Sequence, residues 1–413
     1  MRAYGWLIAV VVAAAVAALA VVAMLPPADE LIEPSPARAA EFFSAAQIER
    51  GQDFRRPNFW IGLSALAAQL ALLVALTRRP PRRLRAASRW WHGFVAGAAI
   101  AAALSAVTLP MSVVLRIRSI DVGLSTRSWP GWAWDWVLST AINAVLMGLL
   151  AMALLWLMRR LPRAWWAPGS AVVIVGATLW VLVSPVVLDP LFNRFTPLRL
   201  EPLRAEVLQL AREAGIEVSE IQVIDASKRT TGANAYVAGL GASKRIVIYD
   251  NLLDDFTHAE QLNIIAHELG HEHYGDLRNG LLYVALVAPF GMLAVALMTR
   301  RFGTGEPGSP AVLPALALSI LVVATGVQYI SNSLSRRVEA RADSFALRTT
   351  GDPEALIALQ KRLVVRNVSD PAPPGWRIAV FGTHPPPLDR IGMALAYRER
   401  AASRASTSWG LLR

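Results

Sequence analysis

The sequence contains no cysteine. That excludes a disulfide scaffold, a thiolate zinc site and a cysteine nucleophile, and leaves any metal to histidine and carboxylates. Charge is also scarce. Only 17% of the 413 residues are charged and 54% are hydrophobic, with a mean hydropathy of +0.41, too apolar for an ordinary soluble enzyme of this length. Lysine is nearly missing, with Lys228, Lys244 and Lys361 the only three among 41 basic residues, an arginine bias of the kind a GC-rich bacterial genome produces. No internal repeat occurs, and the Pro-rich 371–374 is the one low-complexity segment.

The net charge of +11 raises nucleic-acid binding as a reading, but the location of the charge argues against it. Arg78, Arg79, Arg82, Arg83, Arg85 and Arg89 form one acid-free stretch, Arg159, Arg160 and Arg163 a second, and Arg300 with Arg301 a third. These eleven arginines equal the whole excess. Each stretch abuts a long apolar run, as the cytoplasmic loops of membrane proteins do, and no basic patch with interleaved aromatics occurs elsewhere. No nucleic-acid partner is expected.

Seven runs reach or approach the ~17–25 apolar residues that cross a bilayer. They are 6–25, 59–77, 94–115, 136–158, 171–188, 281–298 and 311–330. Trp60, Trp90, Trp91, Trp136, Trp165 and Trp166 lie at or near their ends, as interfacial aromatics do. The first run, behind Arg2, reads as a signal anchor, being long for the apolar core of a cleaved signal peptide. Residues 189–280 and those after about 332 are not membrane segments. In the first of these regions, 202–214 is amphipathic and stops at Gly215, which predicts a helix. Segments 220–224, 234–239 and 245–249, separated by turn residues, predict a small antiparallel sheet.

Four of the six histidines lie between His258 and His273. Within that cluster stands His267-Glu268-Leu269-Gly270-His271, the HExxH pattern. Thr257 and Glu260 form a capping box and Gly275 stands where a helix would end, which predicts a helix over 258–274. His267 and His271 then share one face, one turn apart, and can bind a zinc ion together. Glu268, beside the first ligand, can take a proton from an attacking water. His258 and His273 fall roughly on the opposite face and are expected at the surface or in support of the ligands.

A catalytic zinc takes three protein ligands and keeps one position open, so a third must come from elsewhere. Glu339 and Asp343 form an i,i+4 pair just past the seventh run. Glu339 could bind the metal while Asp343 accepts the free ring N–H of a ligand histidine. Equally, both could pair with Arg336, Arg337 and Arg341 as a surface ion-pair face, and the residues alone leave these readings level.

Taken together, these segments resemble the membrane-embedded zinc metalloproteases of the CAAX prenyl protease 1 type. The likeness is carried by 189–198, Asn234-Ala235-Tyr236, the HELGH helix, Asn332 with 335–343, and Thr383-His384-Pro385-Pro386 followed by Arg390. It is strong over about 185–395 and weak before, where 116–135 keeps Gly123-Leu124-Ser125 but matches loosely. Gly232-Ala233 stand where the family more often has a His-Ser pair. The resemblance implies an α-helical polytopic membrane protein, with about seven transmembrane helices around a chamber and a zincin-like α+β metalloprotease domain capping it. It implies one zinc per chain on His267, His271 and Glu339, with Asp343 behind a ligand histidine. It further implies that Glu268, His384 and Arg390 are catalytic, the last two contacting substrate or its oxyanion, and that Asn234, Ala235 and Tyr236 hold substrate backbone.

The expected protein is thus an integral membrane zinc metalloendopeptidase, with C-terminal CAAX-type processing as what the resemblance suggests. Its alternatives are an HtpX-like quality-control protease and a non-enzymatic polytopic protein with a structural zinc. The second would need a fourth protein ligand, and the chain offers no obvious one. Expected partners are a peptide or protein substrate, lipidated or not, and membrane lipids. The expected division is a membrane region at 1–188, a zincin-like domain at 189–280, spans six and seven at 281–331, and a C-terminal helical part at 332–413 that completes the zinc site. The arginine-rich loops follow spans two, four and six, which puts them in the cytoplasm and the protease domain outside it, across a bacterial plasma membrane. Charge and resemblance conflict here, since eukaryotic members of the family hold the protease domain in the cytosol.

Overall fold

In a computed structural model, residues 4–86, 91–216, 220–239 and 245–410 are described. Arg2, Arg89, Trp90 and Lys244 lie outside the described residues. The first five membrane helices are α1 (Gly5–Ala23), α2 (Ala45–Arg78), α3 (His92–Asp121), α4 (Trp129–Arg160) and α5 (Trp166–Val183), the last continuing through a looser turn at Ser184–Leu188. Then come β1 (Phe195–Pro197), α6 (Glu201–Glu213), β2 (Glu220–Ile224), β3 (Ala235–Ala238), β4 (Arg245–Tyr249) and α7 (His258–His273). The chain re-enters the bundle with α8 (Asp276–Phe302) and α9 (Leu313–Thr350), and ends on α10 (Pro353–Arg366), α11 (Gly375–Phe381) and α12 (Pro387–Gly410). Among the described residues seven helices are long and apolar enough to cross a membrane.

Several of these helices outrun their apolar stretches, because backbone hydrogen bonding does not stop where the hydrocarbon does. The consequence is structural. Positions 280 and 331 both fall inside unbroken helices, α8 and α9, so the bundle and the polar part share rigid elements. Within the bundle, α1 packs through Ala9, Ala13 and Ala17 beside Tyr283, Val287 and Ala294 of α8, small side chains giving close helix approach. A cavity of about 390 Å³, mostly apolar, lies between α2, α3, α4 and α9, with Gln69 and Asn143 among its few polar groups.

The sheet has the order β1-β2-β4-β3, with β2 parallel to β4 and both edges antiparallel. It is therefore mixed and four-stranded, which corrects the expected antiparallel sheet of three. The reason lies in β4, whose Ile246, Val247 and Ile248 are all fully buried. A continuous apolar run needs cover on both faces and takes a central place, which separates β2 from β3. The third strand also begins at Ala235, leaving Asn234 just ahead of it. Behind the sheet, Ile265 and Leu269 of α7 and Leu347 of α9 join Leu252, Leu356 and Ile391 in one buried core.

A segment after α1 straps this core to the membrane part. Ile32 N–H donates to Ser344 Oγ at 2.9 Å, and Ser35 N–H donates to the carbonyl of Gly392 at 3.0 Å. Gly392 is required by that crossing, since a Cβ there would lie 2.4 Å from the Ser35 carbonyl oxygen.

Candidate active site

The motif helix starts as the sequence dictates. Thr257 N–H donates to Glu260 Oε2 at 2.7 Å and Glu260 N–H to Thr257 Oγ1 at 3.4 Å, a reciprocal cap. Fixed at that end, α7 aims His267 and His271 at the same point, with Nε2 atoms 3.3 Å apart. Glu339 reaches them from α9, its carboxylate 3.3 Å from His267 Nε2 and 3.8 Å from His271 Nε2. One donor atom from each of the three lies within 4.8 Å of the others. Tetrahedral zinc with bonds of ~2.0–2.1 Å needs donors ~3.3 Å apart, so this set fits zinc with little adjustment.

Both Nδ1 atoms are engaged, which turns both Nε2 lone pairs inward. His267 Nδ1 lies 2.8 Å from Asp343 Oδ1, and His271 Nδ1 lies 2.9 Å from Asp276 Oδ2. Asp343 is fully buried and is also gripped by Arg390 through Nε at 2.7 Å and Nη2 at 2.5 Å. Burial alone would lower the His267 pKa, but the Asp343 carboxylate, helped by Glu339, lifts it to about 10. A cation at the three donors would replace that proton. Burial pushes Glu268 above its ordinary carboxylate value, opposed by His267, His271 and a backbone hydrogen bond from Val237.

Asp276 was not foreseen from the sequence. It lies five residues past His271, beyond the break of the helix, and only the left-handed Gly275 (φ 64°) turns the chain so that Asp276 faces back. Arg341 Nη2 bonds Asp276 at 2.5 Å while its Nη1 bonds Glu30 in the strap at 3.2 Å. Arg336 is likewise taken up, with Nη1 on the carbonyls of Ile378 at 2.9 Å and Gly382 at 2.6 Å. The surface ion-pair face considered for Glu339 and Asp343 therefore does not form.

Comparisons with known proteins agree with this geometry. Residues 197–398 match peptidase family M48, and residues 32–194 match the CAAX prenyl protease N-terminal region of five membrane helices. An uncharacterized metalloprotease, YhfN of Bacillus subtilis, is 31% identical over 293 residues, 69% of each chain. The chain belongs to peptidase family M48. Similar M48 relatives include a CAAX prenyl protease 1 homolog of rice, 30% identical over 51% of each chain, and CAAX prenyl protease 1 of Saccharomyces cerevisiae, 38% identical over 26% of this chain and 24% of that one. The match thus spans about half or less of those two relatives. The crystal structure of S. mikatae Ste24p shares the fold, with a TM-score of 0.75 over 95% of this chain and 98% of that one at 19% identity. The protein is a multi-pass membrane metallopeptidase.

The remaining expected residues take distinct places around the M48 centre. His384 is exposed, with Nε2 3.3 Å from Glu339. Asn332 donates to the Val380 carbonyl at 2.7 Å and, with Arg336, fixes the turn that leads to His384. Arg390 has two of its three guanidinium nitrogens on Asp343, so its firm contact is the carboxylate behind His267. Ala235 and Tyr236 lie on β3, a free edge of the sheet. Asn234 is exposed, and its carbonyl accepts from Tyr249 N–H at 3.1 Å. By antiparallel alternation the backbone groups of Ala235 and Val237 then face outward, toward α7. His258 and His273, on the far face, pin α6 instead: His258 to Glu206 at 2.8 Å, His273 to the Ala214 carbonyl at 3.0 Å.

Proposed function

We propose that the chain is a zinc endopeptidase in which His267, His271 and Glu339 hold one zinc ion and Glu268 is the general base. The supporting observation is the convergence of three metal-fit donors beside a carboxylate and the free edge of β3. Zinc bound there would lower the pKa of a water and polarise the scissile carbonyl. Glu268 takes the proton from that water as its oxygen attacks the carbonyl carbon, and passes it to the amine as the C–N bond breaks. Asp343 and Asp276 keep the two imidazoles aligned. An extended peptide adds to β3 through the backbone of Ala235 and the carbonyl of Val237, flanked by Asn234 and Tyr236. We assign His384 and Nη1 of Arg390 as the donors to the developing oxyanion.

CAAX-type processing at the C terminus of a membrane-attached protein, lipidated or not, is the substrate reading we favour over HtpX-like quality control, because the likeness to CAAX prenyl proteases includes their five-helix region. We place the arginine-rich loops in the cytoplasm and the protease domain outside it, in a bacterial plasma membrane. Along α8 those two faces lie ~40 Å apart, from Asp276 at the site to Arg300 and Arg301. A periplasm-active reporter fused after Arg413 should be active. A silent but stably expressed fusion would reverse the orientation.

Glu268→Gln tests the mechanism, because it keeps shape and cannot accept a proton. It should retain about one zinc per chain by metal analysis while peptidase activity falls by ~10² or more. Near-normal turnover would sink the assignment.

A further inference from the structure

At the end of the bundle far from the metal centre, a cavity of about 710 Å³ opens between the ends of α2 and α4 and the loop that joins α8 to α9. Arg78, Arg85 and Arg159 line it, and Glu306 is its one carboxylate. Two of the guanidinium groups are held by backbone. Arg85 donates to the Pro80 carbonyl through Nε at 3.0 Å and Nη2 at 2.9 Å, and Arg159 Nε donates to the Gly308 carbonyl at 2.8 Å. Arg78 bonds to none of the described residues, and no ion pair within them neutralises the three cations.

Three guanidinium groups, two of them oriented by backbone carbonyls, with one acid between them leave a net positive cavity, the chemistry that takes a phosphate. Its surroundings add a second condition. Arg159 also lines an apolar hollow of about 220 Å³ with Met152, Ala153, Leu155 and Trp156, which run back along α4 into the membrane-spanning part. A ligand serving both would be anionic at one end and hydrocarbon at the other. We propose that this cavity binds the phosphate headgroup of an anionic phospholipid, with an acyl chain against α4. The arginines of the loops after spans two and four then form a lipid site besides marking sidedness. It lies a helix length from His267 and His271 and touches no residue of the catalytic centre.

The test uses the full-length protein purified in a zwitterionic detergent. Thermal unfolding and native mass spectrometry are followed against a short-chain phosphatidylglycerol, the phosphatidylcholine of the same chains, and inorganic phosphate. Phosphatidylglycerol should raise the unfolding temperature and stay bound, while the other two should do neither. Arg78→Gln breaks no bond among the described residues, so it should fold, keep peptidase activity and bind phosphatidylglycerol about fivefold more weakly. Glu306→Gln should shift binding the opposite way by a similar factor, which keeps the proposal testable if an arginine variant is unstable. Equal response to phosphatidylcholine, or phosphatidylglycerol binding unchanged in both variants, would overturn it. A response matched by inorganic phosphate would mean an anion site and not a lipid site.

Discussion

His267 and His271 leave the same helix one turn apart, yet their supports come from opposite parts of the chain. Behind His267 stands Asp343, fully buried in α9 and forked by Arg390 from α12. Behind His271 stands Asp276, at the break where α7 gives way to α8, tied through Arg341 to Glu30 in the strap. The first arrangement is closed, because the hydrogen bonds of the Asp343 carboxylate go to the His267 imidazole and the Arg390 guanidinium, side chains of the metal centre itself. The second is shared, because Arg341 keeps Glu30 if Asp276 is lost and also stacks over Tyr274 at 4.0 Å. One ligand is thus held by a closed pair and the other by a chain of contacts that reaches the strap after the first membrane helix.

The largest expected effect follows from the closed side. Asp343→Asn removes the one carboxylate that Arg390 forks, and breaking such a buried pair costs about 3–5 kcal/mol. It also replaces the charged acceptor that orients His267 with a neutral amide oxygen, which should weaken zinc by about 10–100-fold. Chemical denaturation and a competitive chelator titration measure the two separately. A variant with unchanged zinc affinity would mean that the His267–Asp343 contact does not align the ligand.

Asp276→Asn should come second. The His271 contact is left with a neutral amide oxygen in place of a carboxylate, so zinc should weaken by about tenfold, at the low end for such partners. The stability loss should be about 1.5–3 kcal/mol, the worth of a hydrogen bond to a charged group, since Arg341 retains Glu30. If Asp276→Asn cost as much stability as Asp343→Asn, the contrast between a closed and a shared support would fail.

The sequence exposed these two supports unequally, for a physical reason. Asp343 is readable because it stands i,i+4 from Glu339 on an uninterrupted helix, where spacing alone fixes direction. Even so, the residues left an ion-pair face equally open until the family likeness was considered, because spacing does not say what a helix packs against. Asp276 follows His271 by five residues, which on a continued helix would point elsewhere, and only the positive φ of Gly275 returns it. The same limit appears in the sheet. Strand segments were legible from the turn residues that separate them, but the central position of β4 depends on cover from both faces, which no local pattern states. Apolar runs marked the membrane spans well, while the polar extensions of α2 and α9 left no hydropathy signal.

Glu30→Gln should give the smallest change and is the most direct test of how far the shared support extends. Glu30 is partly exposed, with a side chain 30% accessible, and its bond to Arg341 is 3.2 Å long. An ion pair in that setting is worth about 0–1 kcal/mol. Asp276 still holds Arg341 at 2.5 Å when Glu30 is neutral, so His271 keeps its acceptor. Zinc affinity should therefore fall by no more than about fivefold, the equivalent of that 1 kcal/mol. The strap also has contacts that do not involve the Glu30 side chain, among them Ile32 to Ser344 and Ser35 to Gly392, so it should stay docked. Combining Glu30→Gln with Asp276→Asn leaves Arg341 without either carboxylate, and the stability loss should then exceed the sum of the single losses. Strict additivity in that cycle would show that Glu30 and Asp276 act separately, and that the link from the strap to the metal ligand carries no energy.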